Sequence, residues 1–288
     1  MKYNFKLALL GCLALATTFA SCNKDDNDDD NNNAENGEVF ENGFRILPKK
    51  VVKISEISYE DDPSVTYYYF DEKGRIYKSD SWEDGVLEED SEEFYHYTET
   101  TIENEDKDKY HPSIEKLVIE NGKITKLTES RDLDIRTTIF DYSERGYLSS
   151  MKWASDYSDG IIELTEENGY LVSSNKKYTI KEKSEIDTRE YESVFTYDDK
   201  LNNLNVDLSF LIYEELFTTF TNMTGKRFQG LPSKLTSTVK ETGEIAEYFT
   251  YHYTYDGEYV TKIVVYIHDD ETHVEEDDIF YMFEIFYE

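Results

Sequence analysis

The sequence predicts a mainly β protein: a large, strongly curved antiparallel sheet or up-and-down barrel-like fold with one short helix. Three observations carry this expectation. From about Phe44 onward, short runs of β-branched and aromatic residues alternate with Gly, Asn and Asp turns, the pattern of strands joined by hairpins. Aromatic residues make up 15% of the 288-residue chain, 25 of them tyrosine, too many for disorder and enough for a sizeable folded domain. Several strands also carry large side chains on both faces. In Tyr67-Tyr68-Tyr69-Phe70, alternation places Tyr67 and Tyr69 on one face and Tyr68 and Phe70 on the other. A curved sheet with polar and aromatic contents suits such strands better than a dry sandwich.

In chain order, the first element is an export signal. Lys2 and Lys6 precede an apolar run from Leu7 to Ala16, and the small residues Ala20 and Ser21 lead into Cys22. The run is shorter than the roughly 20 apolar residues of a spanning helix. Phe19-Ala20-Ser21-Cys22 resembles the lipobox of lipoprotein precursors at Ala20, Ser21 and Cys22, with Phe19 in place of the usual Leu. Cys22-Asn23-Lys24-Asp25-Asp26 resembles the Lys-acidic signal that sends Bacteroidota lipoproteins to the outer face of the outer membrane. These resemblances imply a cleaved signal peptide over 1–21, lipid on Cys22, an export signal in Lys24, Asp25 and Asp26, and an outer-membrane lipoprotein facing the exterior. The outer membrane is then a partner through the anchor, held by acyl chains whose buried methylenes contribute about 0.8 kcal/mol each.

Cleavage would remove Cys12 and leave a mature chain whose only thiol is consumed by lipid, so no disulfide, cysteine nucleophile or thiolate metal ligand is expected. The formal charge is −33 for the full chain and −35 without the two signal lysines. Such a surface excludes nucleic acid as a partner. The segment 22–40, rich in Asn and Asp, lacks the apolar groups that offset ordering entropy and is expected to be a flexible acidic tether. Its Asp residues lack the spacing, Gly and closing Glu of a calcium loop.

Residues 41–288 are expected to form a single antiparallel β domain. A degenerate unit recurs within it: an aromatic or apolar strand, a polar turn containing Gly, and a second strand. Copies span Tyr67 to Tyr77, Leu117 to Ile124, Thr138 to Leu148, Glu166 to Leu171 and Tyr253 to Tyr266. Asn-Gly and Asp-Gly tolerate the positive φ of tight hairpins. Leu208, Leu211, Ile212, Leu216 and Phe220 follow helical spacing after Asp207, a candidate N-cap, so the expected helix lies here and seals one end or edge of the sheet. Glu103 to Pro112, charged and ending in Pro, is expected to be a long exposed turn.

Phe70-Asp71 to Gly74-Arg75-Ile76 resembles the YD repeat of secreted bacterial shells. The order Thr196 to Asp207, the helical stretch, Leu231-Pro232-Ser233-Lys234-Leu235-Thr236, then Tyr251 to Ile263 resembles a family of uncharacterised Bacteroidota surface lipoproteins with a porin-like fold. That resemblance implies an antiparallel barrel or curved sheet and carries over no site.

No nucleophile elbow, phosphate loop, HExxH helix or dinucleotide fingerprint is present, and no cofactor and no catalytic residue is assigned. No metal site is assigned: His268 and His273, among acidic residues, are the candidate ligands, but such a cluster arises readily among 63 acids and is more simply a solvated hairpin tip. Tyr67, Tyr69, Trp82, Trp153, Tyr253 and Tyr255 are the candidate binding residues, since Tyr and Trp rings can stack on sugars or peptide groups. Cross-strand packing is the commoner use of such rings. The favoured reading is a non-enzymatic surface-anchored module binding a neutral glycan, a peptide or an envelope protein. The alternatives are a structural or scaffold component of the envelope and a glycan-active enzyme with paired carboxylates, whose separation no sequence reveals. A cavity lined by Tyr with one or two acids would favour ligand capture or catalysis, and a packed interior would favour a scaffold.

Overall fold

The computed structural model describes residues 39–41, 44–59, 64–106, 113–131, 134–181, 186–211, 221–268 and 279–288. Cys22, Lys24, Asp25, Asp26 and His273 lie outside them.

β1 (Val39–Glu41) and β2 (Phe44–Ile46) make a two-stranded ribbon. The following strands are β3 (Val51–Ser58), β4 (Ser64–Phe70), β5 (Ile76–Glu83), β6 (Val86–Leu87), β7 (Glu93–Tyr97), β8 (Thr101–Asp106), β9 (Ser113–Glu120), β10 (Lys123–Arg131), β11 (Asp134–Tyr142), β12 (Leu148–Ala154), β13 (Ser158–Glu167), β14 (Tyr170–Lys181), β15 (Ile186–Leu201), β16 (Gly230–Val239), β17 (Ile245–Asp256), β18 (Tyr259–His268) and β19 (Ile279–Tyr287). Each pairs antiparallel with its chain neighbours, and β19 returns to β3, so the sheet closes into a barrel. The short β6 covers one end of β5, which pairs with β7 further along. Closure pairs β3 with β19, so neither end strand of the barrel sheet is left as a free edge. The recurring Gly-containing units are the hairpins β4–β5, β9–β10, β11–β12, β13–β14 and β17–β18, and they all turn at the same end of the barrel because the connections alternate between ends.

That end is filled. The expected helix is corrected: among the described residues there is no α-helix, only a single 3-10 turn at Ser209–Leu211, and residues 212–220 lie outside the description. Asp207 does accept the Ser209 N–H at 2.9 Å, as a cap would, but the same oxygen also takes the Asn202 side-chain amide at 2.7 Å and the Ser209 hydroxyl at 2.6 Å. Asn202, fully buried, also bonds the Leu208 N–H and the Phe228 carbonyl. These tertiary bonds hold the segment as an irregular plug. Of the residues read as a helix stripe, Leu208 and Leu211 are buried with Leu204, Val206 and Phe228 in the barrel end, and Ile212, Leu216 and Phe220 lie outside the described residues.

The plug is stitched to the hairpins through their glycines. Asn222 donates to the carbonyls of Gly74 at 2.9 Å and of Asn205 at 2.7 Å, Lys226 N–H to Gly146 O at 2.9 Å, and Gln229 N–H to Gly169 O at 2.8 Å. Gly74 and Gly169 have positive φ, and a Cβ on them would lie 2.2 Å from Asn205 O and 2.6 Å from the Gln229 side chain. Glycine is required there for close approach as well as for turn conformation.

A second expectation is also corrected. Glu103 to Asp106 belong to β8, paired with β9 through Glu103↔Lys116 and Asn104↔Glu115, while 107–112 lie outside the description. A polar strand is stable here because Asn104 points into a polar lumen and Glu103 pairs with Lys116 on the outer wall.

Candidate functional site

Register fixes which side chains face the lumen. Ile54 and Glu56 on β3 face inward with Tyr68 and Thr66 on β4. Near the plug the inward residues are apolar and fully buried, among them Ile54, Ile76, Ile102, Leu117, Ile124 and Leu171. Further from the plug they become polar, and the interior is hollow.

The polar belt is ordered. Tyr68 donates to Glu56 at 2.6 Å. One oxygen of Glu93 accepts from Tyr95 at 2.8 Å, Ser79 at 2.9 Å and Asn104 at 3.2 Å. Burial pushes the Glu56 carboxyl above the usual range, only partly opposed by the Tyr68 hydrogen bond. Tyr68 rises well above an ordinary phenol for the same reason, with the Glu56 charge adding to it.

Two adjoining hollows occupy the lumen. The first, about 540 Å³, is lined by Glu56, Glu247, Tyr191, Phe249, Tyr251 and Tyr281 among others, and it reaches Ala246 and Phe280 beside the strand ends away from the plug. The second, about 470 Å³, is lined by Arg136, Thr138, Trp153, Ser158, Lys176 and Tyr178 with two apolar neighbours. They share Ile162, Lys176 and Tyr178. Tyr178 and Tyr191 stack at 6.0 Å with planes 6° apart. Arg136 lies between the Glu129 carboxylate at 3.5 Å and the face of Trp153 at 5.6 Å. Burial raises Glu129 and the Arg136 charge opposes the rise. Both volumes fall in the size range of small-ligand sites, and their mixture of rings with a few polar groups has the composition of one.

The six candidate aromatics are not brought together. Trp153 faces the second hollow. It has room because Gly160 stands opposite on β13, where a Cβ would fall 2.3 Å from the indole. Tyr67, Tyr69 and Trp82 lie on the outer wall, and Asp80 accepts from Trp82 Nε1 at 2.8 Å and from Tyr69 OH at 3.4 Å. A row across five strands there reads Phe286, Lys53, Tyr69, Lys78, Phe94. Tyr253 is structural: it is half-buried against the core and donates to the Pro232 carbonyl at 2.6 Å. Tyr255 is half-exposed near that same end of the barrel, its hydroxyl pushed up to about 12 by partial burial and Asp198. His268 is buried, its Nε2 2.9 Å from Thr250 Oγ1 and its ring against Tyr248 and Tyr266. Among the described residues no group of three or more His, Cys, Asp or Glu could hold a metal ion.

Sequence reasoning missed Glu56, Arg136, Lys176, Tyr178, Tyr191 and Glu247. A signal existed for several of them. Glu56 shares a strand face with Ile54, Arg136 and Thr138 with Phe140, Tyr191 with Phe195, and Glu247 with Tyr251, so polar side chains sit on faces that otherwise build the core.

No family model matches the chain, and no curated protein matches it. Among solved structures, a porin-like protein from Bacteroides uniformis superposes with a TM-score of 0.58 at 16% identity, covering 84% of this chain and 98% of that one. This likeness establishes the fold as a porin-like antiparallel β-barrel, an architecture typical of outer-membrane proteins, and extends no further.

Proposed function

We propose that the protein is a non-enzymatic capture module of the cell envelope, anchored through Cys22, whose lumen takes in part of a glycan or a peptide. The observation that carries this reading is the hollow of about 540 Å³ lined by Tyr191, Tyr251 and Tyr281 with Glu56 and Glu247. A scaffold has no need of such a space. The plug favours capture over conduction, since Leu204, Val206, Leu208 and Phe228 are buried across the opposite end. A barrel wall bearing ion pairs such as Lys152 with Asp141 at 2.9 Å supports a domain held outside the bilayer.

The chain has two tryptophans, so in a full chain carrying Trp82→Phe the emission of Trp153 reports on the lumen. Titration with neutral oligosaccharides and short peptides is expected to give a saturable change with at least one class, abolished by Tyr178→Ala and unaffected by Tyr67→Ala. A folded protein that retains neither class would overturn the reading.

A further inference from the structure

Building on lumen capture, we infer that the second hollow is a carboxylate-binding subsite, taking the single carboxylate of a ligand whose remainder extends into the first hollow. Arg136 and Lys176 both line it, and no Asp or Glu does among the described residues, although acids outnumber bases 63 to 30 in the chain. Glu129 is set behind Arg136 at 3.5 Å, so the two cations rather than an acid line the hollow itself.

An independent observation points to an occupant. Thr138 lines the hollow and is 2% exposed, yet its Oγ1 has no hydrogen-bond partner. A buried hydroxyl without a partner is unfavourable unless something it can bond enters the space. Its cross-strand neighbours are Leu127 and Trp153, neither of which offers an acceptor on its side chain. Within the hollow, where no acid among the described residues lines the wall, two cations favour an anionic oxygen as its acceptor. Trp153 supplies a flat wall and Ser158 and Tyr178 further hydroxyls, which suits a planar carboxylate on an organic framework better than a bare spherical anion.

Lys176 and Tyr178 belong to both hollows, so a ligand seated by its carboxylate can lay its neutral body along Tyr178 and Tyr191 toward Glu56 and Glu247. One carboxylate can be neutralised locally. A polyanion would meet the repulsion of the whole chain, whose formal charge is −33. A peptide C-terminus and a uronic acid both present this chemistry.

Two matched pairs separate these sources in the Trp82→Phe full chain, read by calorimetry and Trp153 emission: a tripeptide free acid against its C-terminal amide, and a methyl glucuronoside against the methyl glucoside. In one pair the acid should bind about 10-fold more tightly than its neutral counterpart, the size of effect a charge-assisted contact gives, and that pair names the source. Thr138→Val and Lys176→Gln should each bring the ratio below about 3-fold, as expected when one such contact is lost. Thr138→Val should leave melting unchanged or raised, which separates loss of a ligand contact from loss of the fold. Ratios near one in both pairs, with the neutral members still binding in a Tyr178-dependent way, would overturn the carboxylate subsite and leave lumen capture standing. Absence of binding by all four compounds would overturn both.

Discussion

Glu56 shows how burial tunes a single side chain in the lumen. It faces inward beside Ile54, and burial raises its carboxyl above the value it has in the unfolded chain, with the Tyr68 bond opposing. A folded-state value above the unfolded one means the native chain holds its proton longer. This contribution to stability is therefore fully present below about pH 4.5 and is lost as pH rises through the folded value. Glu56→Gln keeps an acceptor for Tyr68 and has no charge to desolvate. It is expected to raise the melting temperature at pH 7, with the gain shrinking toward zero below pH 4.5 in paired thermal melts, and a pH-independent difference would contradict the assignment. Sequence alternation could pair Tyr68 with Phe70 and Tyr67 with Tyr69. It could not say which face is inside, because both faces carry aromatic and charged groups. Trp153 was legible as a ring with binding capacity, but its placement required the closed register and the vacant side of Gly160.

At the scale of elements, the hairpins were legible and the plug was not, for a physical reason. A hairpin is specified locally: Asn121-Gly122 turns with φ of 52° and 74°, and Asn168-Gly169 with 54° and 89°, values that Asn and Gly reach at little cost. The described residues 202–211 and 221–229 are held by partners far along the chain, such as Gly74, Gly146 and Tyr251, whose hydroxyl bonds the Leu211 carbonyl at 2.9 Å. Local spacing from Leu208 to Phe220 therefore suggested a helix, where tertiary bonds hold the described residues through Leu211 as a loop with one 3-10 turn. The double demand on the hairpin glycines can be tested by two substitutions. Gly257 has φ of 60° with nothing within 4 Å of a Cβ, whereas Gly74 has φ of 69° with Asn205 O at 2.2 Å. Gly257→Ala is expected to cost roughly 1–2 kcal/mol, the left-handed penalty alone. Gly74→Ala should cost about 1–3 kcal/mol beyond that, from overpacking against the plug backbone. Urea unfolding of the pair checks the difference, and equal losses would mean that the plug yields without strain.

For the whole molecule, the decisive contrast is between a barrel shape shared with outer-membrane proteins and an outer wall that carries paired charges well along its strands. Lys116 meets Glu103, Lys177 meets Glu190, and Lys152 meets Asp141 on that wall, alongside the apolar and aromatic groups Ile139, Val194 and Phe286. A lipid-facing Lys costs about 2–4 kcal/mol at the bilayer midplane, and these lysines lie on β9, β12 and β14, along one arc of the barrel. On the proposed reading, water solvates this wall and attachment to the membrane rests on the lipid at Cys22. Replacing Cys22 by Ser in the full chain is expected to move the protein from the membrane fraction to the soluble fraction while leaving its melting temperature unchanged, since no barrel strand includes Cys22. Neutralising Lys24, Asp25 and Asp26 should instead retain membrane attachment and reduce protease accessibility on intact cells. A Cys22→Ser protein that stays with the membrane through a carbonate wash, which strips peripheral proteins, would show that the barrel wall itself is embedded and that the ion pairs lie outside the hydrocarbon zone.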